Sequence, residues 1–374
     1  LESCLKKMIY ESCEDMSKQL RNNLIVLTVA ILLSLLLHAL HVLLPFMFGP
    51  IIASVICIKV FHLEIRWPFW LSQIGLILLG VQIGSTFTDT VIEDIKNDWF
   101  TIVMITVMLI MLALLIAYFF KKIAKVNIET AILSVIPGAL SQMLIMAEEN
   151  KNANIMVVSL TQTSRIIFVV ILVPFISYFF KDASGQPSIG TTATEKLTEA
   201  LTWPSIVCLI LAITIVYYLM GKINFPTRQL LAPIVVLICW NLITGVTFTL
   251  DNYIIAAAQV IYMIRIGIQI ANLVDQMKGR IAVAIAFQNI FLILLAFVMV
   301  WLISMFSNHS INELFLGAAP GGMSQIVLVA IETGADVAMI SSYHIFRIFF
   351  ILFLIAPMLN YFLKYRERAH AKNK

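Results

Sequence analysis

Pro137-Gly138-Ala139-Leu140-Ser141-Gln142 sits inside one apolar stretch, and Pro320-Gly321-Gly322-Met323-Ser324-Gln325 inside another, 183 residues later (320−137). Proline removes a backbone donor and glycine adds a flexible position, so a helix in lipid should break at each. The surroundings repeat too. Gln162-x-x-Arg165 is answered by His344-x-x-Arg347 (347−165 = 182) and Pro174 by Pro357 (183). Further back, Gly80-Val81-Gln82-Ile83-Gly84 aligns with Gly267-Ile268-Gln269-Ile270-Ala271 (187), and Gly49-Pro50 with Ala232-Pro233. Landmarks in one order at nearly one offset mark an internal duplication.

The composition says where this duplicated chain lives. Of its 374 residues 61% are hydrophobic and only 12% charged, against about 25% charged in soluble domains, and mean hydropathy is +0.97. An ordinary soluble enzyme is excluded, and the expected class is an all-α polytopic membrane protein. Six apolar runs fill 24–180 and six more fill 201–363, so the chain divides into an N-terminal segment 1–23, a first repeat 24–180, a polar linker 181–200, a second repeat 201–363 and a basic tail 364–374. The charged first segment lacks the apolar core of a signal peptide. Five scattered cysteines suggest neither a disulfide framework nor a metal site.

Loop charges decide how the repeats face. If all twelve runs cross, the twenty-two Lys and Arg outside the runs divide sixteen to six. If the two Pro-Gly runs fold back instead, the division becomes nineteen to three, with only Lys96, Lys181 and Lys196 outside. The second arrangement obeys the positive-inside rule better. It predicts two inverted repeats, each of about five spanning helices plus one Pro-Gly-broken or re-entrant helix. Both termini are then cytoplasmic and the linker extracellular.

Breaks of this kind line a cavity near the midplane, where half-helix N-termini face anionic groups. The substrate-binding candidates are therefore Pro137, Gly138, Ser141, Gln142, Pro320, Gly321, Gly322, Ser324 and Gln325, with the intramembrane Arg165 and Arg347. An arginine there needs a partner. It could contact substrate, pair with Glu149 or Glu332, or cap the carbonyls opened by the adjacent break. Glu149, Gln162, Glu332, Asp336 and His344 are the candidates for ion or proton coupling. Arg265, without a counterpart at the glycine alignment, reads as an interface residue, and Gly80 and Gly84 as sites of close helix packing.

The Pro-Gly-Gly break, the following Gly334-Ala335-Asp336 and the His or Gln three before Arg resemble the bacterial membrane AbrB-duplication family over about 24–363. The first copy departs from it at Ala139 and at Asn152-Ala153-Asn154. The family carries two labels, regulator of gene expression and ammonia monooxygenase. The chain is more distantly similar to the inverted-repeat superfamily of sodium-proton antiporters and bile-acid symporters, an analogy of fold.

Taken together, the residues point to a secondary active transporter of a small anion, a carboxylate by preference, coupled to H+ or Na+ in a bacterial cytoplasmic membrane. No nucleotide-binding loop occurs in the sequence. No enzyme activity, cofactor, metal or nucleic-acid partner is expected; membrane lipid is, and a homodimer is left open. The alternatives are a membrane sensor without flux and a monooxygenase, which would need a metal held by residues such as His38, His41, His62 and Glu64. On this reading Arg165→Gln weakens substrate affinity, while Arg347→Gln or His344→Gln removes a pH response.

Overall fold

The computed structural model describes residues 2–42, 44–87, 93, 96, 98–138, 140–150, 152–180, 195–223, 225, 227–307 and 309–372. Most of the expected linker, 181–194, and the Ser141 side chain lie outside them. Because lipid offers no hydrogen bonds, the chain satisfies its backbone almost wholly in helices. The first half holds α1 (Glu2–Ala39), α2 (Pro45–Lys59), α3 (Phe69–Ser85), α4 (Trp99–Ala124), α5 (Ile128–Val135), α6 (Leu140–Glu149) and α7 (Ile155–Phe179). The second holds α8 (Trp203–Lys222), α9 (Arg228–Thr244), α10 (Asn252–Gln276), α11 (Gly279–Ser304), α12 (Ile311–Ala318), α13 (Met323–Thr333), α14 (Val337–Phe350) and α15 (Ala356–Lys372). A π-helical turn, Ile351–Ile355, joins the last two. Residues 195–196 and 248–249 form a two-residue parallel pair. Among the described residues seven helices are long and apolar enough to cross a membrane, and α2, α3 and α9 are shorter apolar helices.

The duplication is written in the helix starts. α2 and α9 begin 183 residues apart (228−45), as do α3 and α10 (252−69), α5 and α12 (311−128), and α6 and α13 (323−140). This register corrects the glycine alignment by one helical turn. Gly84, not Gly80, is the mate of Gly267 (267−84 = 183), and Arg265 then has a counterpart after all, Gln82 (265−82 = 183).

By backbone contact the chain forms two compact units, one of 1–79 with 250–275 and one of 80–249 with 276–374. In the first, Val26 and Ala30 of α1, Ala53 and Cys57 of α2, and Val260 and Ile264 of α10 make a buried core. A Cβ on Gly267 would lie 2.9 Å from the Ile51 backbone, so α2 and α10 touch main chain to main chain. The Ser54 hydroxyl donates to the Ile264 carbonyl at 3.2 Å, and Lys59 pairs with Asp275. These contacts advance together, so α2 and α10 run the same way. α3 runs opposite to α10, because Arg265 stacks on the Phe69 ring at 4.1 Å while a Cβ on Gly75 would meet the Ala258 carbonyl. Since α10 is the copy of α3, the repeats are inverted.

The second unit repeats the result with other residues. Phe119 near the end of α4 meets Phe287 near the start of α11, and Asp98 before α4 pairs with His309 after α11 at 2.6 Å. These copies too are antiparallel. Close packing at Gly80 and Gly84 is explicit: a Cβ there would lie 2.6 Å from the Leu230 carbonyl and 2.9 Å from Ile234 Cα of α9.

Both Pro-Gly runs fold back. The Thr130 hydroxyl at the start of α5 accepts from the Asn154 amide at 2.9 Å, and Asn127 donates to the Asn152 carbonyl at 3.2 Å. After α6 the chain is thus back at the root of α5. At 1.5 Å per residue the 8 and 10 residues of α5 and α6 reach about 12 and 15 Å, half of a ~30 Å hydrocarbon core. The second hairpin, α12 and α13, has 8 and 11 residues and the same reach. Each hairpin is therefore long enough to reach only about half-way through such a core.

Candidate functional site

Where α5 stops at Pro137, its last carbonyls lose their helical donors. Arg165, the eleventh residue of α7 and so at tip depth, supplies replacements. Its Nη2 donates to the Ser134 and Val135 carbonyls at 3.1 and 2.8 Å, and its Nη1 to the Ile136 carbonyl at 3.3 Å. Gln162 completes the cap: Nε2 donates to the Leu133 and Ile136 carbonyls at 2.7 and 3.0 Å, and Oε1 accepts from Arg165 Nη1.

The second repeat builds the same cap with a different residue. Arg347 Nη1 donates to the Ala318 and Ala319 carbonyls at 3.3 and 3.0 Å, and Nη2 donates to His344 Nδ1. His344 Nε2 lies 2.9 Å from the Leu316 carbonyl, the copy of Leu133 (316−133 = 183). With Nδ1 accepting, Nε2 must carry the hydrogen and donate. His344 thus does what Gln162 does: it accepts from the arginine and donates to the same carbonyl. His344→Gln should therefore fold and melt like the wild type, whereas His344→Leu, which can do neither, should melt lower in a thermal-unfolding assay. A wild-type melt for both would remove the imidazole from the cap.

The caps use the Nη edges of the guanidinium groups. The Nε of Arg165 and of Arg347 is buried without a hydrogen-bond partner. The tips cross over. At Gly138 the left-handed backbone (φ +108°) disfavours any side chain, and a Cβ would lie 2.9 Å from Ile351 Cδ1 and 3.8 Å from Arg347 Nε. A Cβ on Gly321 would lie 2.6 Å from Val169 Cγ1. Val169 and Ile351 each stand four residues after an arginine, so each tip presses against the other repeat's arginine helix.

The family model of AbrB, described as Transition state regulatory protein AbrB, matches residues 46–363. The chain belongs to the AbrB family. Among its AbrB relatives, the Bacillus subtilis (strain 168) protein named "Uncharacterized protein YhjN" is 23% identical over 303 residues, 77% of each chain. The Escherichia coli (strain K12) protein named "Putative regulator AbrB" is 20% identical over 329 residues, 87% of this chain and 91% of that one.

The remaining candidates of this AbrB-family chain separate into those at the tips and those at the roots. Pro137 and Gly138, and Pro320, Gly321 and Gly322, form the tips. Ser324 donates to Gln325 Oε1 at 3.2 Å, and that oxygen folds back over Gly322. Gln142 is half-buried in the first turn of α6. The acids lie at the other end. Asp336 caps α14, accepting from the Met339 amide at 2.9 Å, as Asn154 caps α7. Glu149 is exposed at the end of α6 and Glu332 partly buried at the end of α13.

Two features escaped the sequence reading. Gln288 and Asn289, hidden in a run read as apolar, are fully buried midway along α11, with Gln288 Oε1 lacking a partner. Glu129, one residue ahead of a run, is buried at the root of the first hairpin. The signal for both was a polar residue at or inside an apolar boundary.

Proposed function

We propose that this AbrB-family chain is a secondary active transporter of a small anion, with a carboxylate as the favoured substrate. The observation that carries the reading is the pair of inverted re-entrant hairpins, each tip laid against the other repeat's arginine helix at mid-membrane depth. At each tip a half-helix N-terminus supplies backbone donors, and α13 has no side-chain cap. The buried Nε groups of Arg165 and Arg347 add donors and positive field, so an anion is favoured where a cation is not. Inverted copies give such a site two equivalent ways to open, one to each side. The loop charges support cytoplasmic termini, which puts α5 and α6 on the cytoplasmic side and α12 and α13 on the external side. A bacterial cytoplasmic membrane is the setting that fits.

The Escherichia coli relative is named a regulator, and the second reading is accordingly a membrane sensor without flux. The test takes purified chain through a thermal-shift screen of small anions and then counterflow of the hits in proteoliposomes. A carboxylate that stabilises the chain, by about 2.7 kcal/mol at a hundredfold excess over Kd, and also exchanges across the vesicle supports transport. Stabilisation without exchange favours the sensor. Cysteine labelling of 181–199 from the cytoplasm alone would overturn the topology.

A further inference from the structure

From Ile102 to Phe120 the buried residues of α4 fall one for one, 183 positions on, onto the buried residues of α11 from Ile285 to Ile303. The two copies turn the same face inward, and that face is apolar in both except at one place. There Ile105 and Thr106 become Gln288 and Asn289, 0% and 1% exposed. The fold itself does not ask for an amide at Gln288, since its own copy packs an isoleucine. Asn289 Nδ2 donates to the Ile285 carbonyl at 2.9 Å, which leaves Asn289 Oδ1 to accept from Gln288 Nε2 at 3.3 Å. The orientation of the Gln288 amide is thereby fixed. Oε1 is the end left over, buried and without a hydrogen-bond partner among the described residues. A buried acceptor left unpaired is unfavourable, and isoleucine would avoid the penalty.

The depth of Gln288 follows from its helix. α11 packs against α4, α7 and α12. It ends shortly before α12 begins, and α7 ends there too, where Ser177 meets Asn312. Going back along α11 and α7 thus leads the same way as going forward along α12. The Phe297 ring lies 4.8 Å from Phe180 and 5.6 Å from Phe315 of α12. From Phe297 back to Gln288 is about 13 Å at 1.5 Å per residue. On the same scale Val169 is roughly 16 Å from Phe180, and Gly321 roughly 9 Å from Phe315. Gln288 therefore stands at the depth where the Gly321 tip presses on Val169.

We propose that Gln288 sets the substrate's chemistry in the tip site: its Oε1 accepts a hydrogen bond from a hydroxyl of the bound anion, and the substrate is a small hydroxycarboxylate. This rests on the anion site of the reading above and narrows it. A plain carboxylate has no donor to give, and an amide oxygen can only accept. The buried Nε groups of Arg165 and Arg347 suit the carboxylate, while the positive field of the two arginines disfavours an ammonium group. A hydroxyl is a donor without charge. Asn289 is a positioning residue, holding the amide so that its oxygen is left for the ligand.

The test is thermal stabilisation of the purified full chain by matched acids: glycolate against acetate, lactate against propionate, malate against succinate, with alanine as the ammonium analogue of lactate. In the pair that binds best, wild type should hold the hydroxylated member about tenfold or more tightly than the plain one, and alanine should bind more weakly than lactate. Gln288→Ile should fold, since Ile105 does so in the first repeat, and should bring the hydroxylated member down to the level of its partner. Gln288→Met, close in volume and unbranched, serves if it does not fold. The proposal is overturned if wild type binds both members of every pair alike or binds none, if alanine binds as well as lactate, or if the preference survives the loss of the amide. Plain acids that bind and exchange across vesicles with no hydroxyl preference would sink this inference alone. A preference that depends on Gln288 but comes without exchange would sink the transporter reading alone.

Discussion

Arg165→Leu and Arg347→Leu are expected to cost the folded protein, not merely an activity. Removing Arg165 leaves the Ser134 and Val135 carbonyls and the Gln162 amide oxygen without their donor, in a medium with no water to replace it. Each buried group left unsatisfied costs about 1–3 kcal/mol. Three of them sum to roughly 3–9 kcal/mol, comparable to the whole stability of an ordinary domain. Arg347 holds the Ala318 and Ala319 carbonyls and His344 Nδ1, so its loss should cost as much. Arg165→Lys, with one ammonium in place of a fork, should fall between leucine and wild type. Size-exclusion profiles and thermal unfolding in detergent check this. A leucine variant that melts like wild type would mean that the caps do not hold the hairpins, whatever becomes of its response to anions.

That expectation differs from the one the sequence alone supports, in which Arg165→Gln acts on affinity and Arg347→Gln on pH response. Sequence spacing put each arginine beside a Gln or His on one helical face, and it put a break nearby. It could not say which edge of the guanidinium faces the break. The caps occupy the Nη edges and leave Nε, a distinction that lives in three dimensions. The same holds for His344, whose titratable chemistry is visible in the sequence and whose two engaged nitrogens are not.

The hairpins, by contrast, were legible, because proline and glycine act through backbone chemistry that no tertiary context abolishes. Inversion was legible through Lys and Arg, whose sorting between loops is a physical consequence of the membrane. The glycine register was not. A lone Gly267 can be matched to either member of Gly80 and Gly84, one helical turn apart, and only the approach of Ile51 to Gly267 and of its copy Ile234 to Gly84 decides between them. Glu129 was missed because a charge one residue outside an apolar run looks solvated. Its burial depends on α15, more than 200 residues away in sequence.

Alanine at the two tips should fail for different reasons, and a second substitution should tell them apart. At Gly138 the backbone sits at φ +108°, where an L side chain is strained, and the new methyl would also press on Ile351 Cδ1. Strain of this kind costs on the order of 1–3 kcal/mol wherever the neighbour goes. Gly138→Ala with Ile351→Ala should therefore recover little of the loss. At Gly321 no such backbone angle is required, and the obstacle is Val169, whose Cγ1 would lie 2.6 Å from the added carbon. Overpacking costs about 1–3 kcal/mol, and trimming the neighbour relieves it. Gly321→Ala with Val169→Ala should thus recover most of the stability lost by Gly321→Ala, measured against Val169→Ala as its own reference. Both cycles can be read from thermal unfolding, with anion-induced stabilisation as the second readout. Equal recovery at the two tips would mean that the left-handed backbone at Gly138 is not what forbids a side chain there. No recovery at Gly321 would mean that its tip is not pressed against α7, and would remove the crossed arrangement on which the proposed site depends.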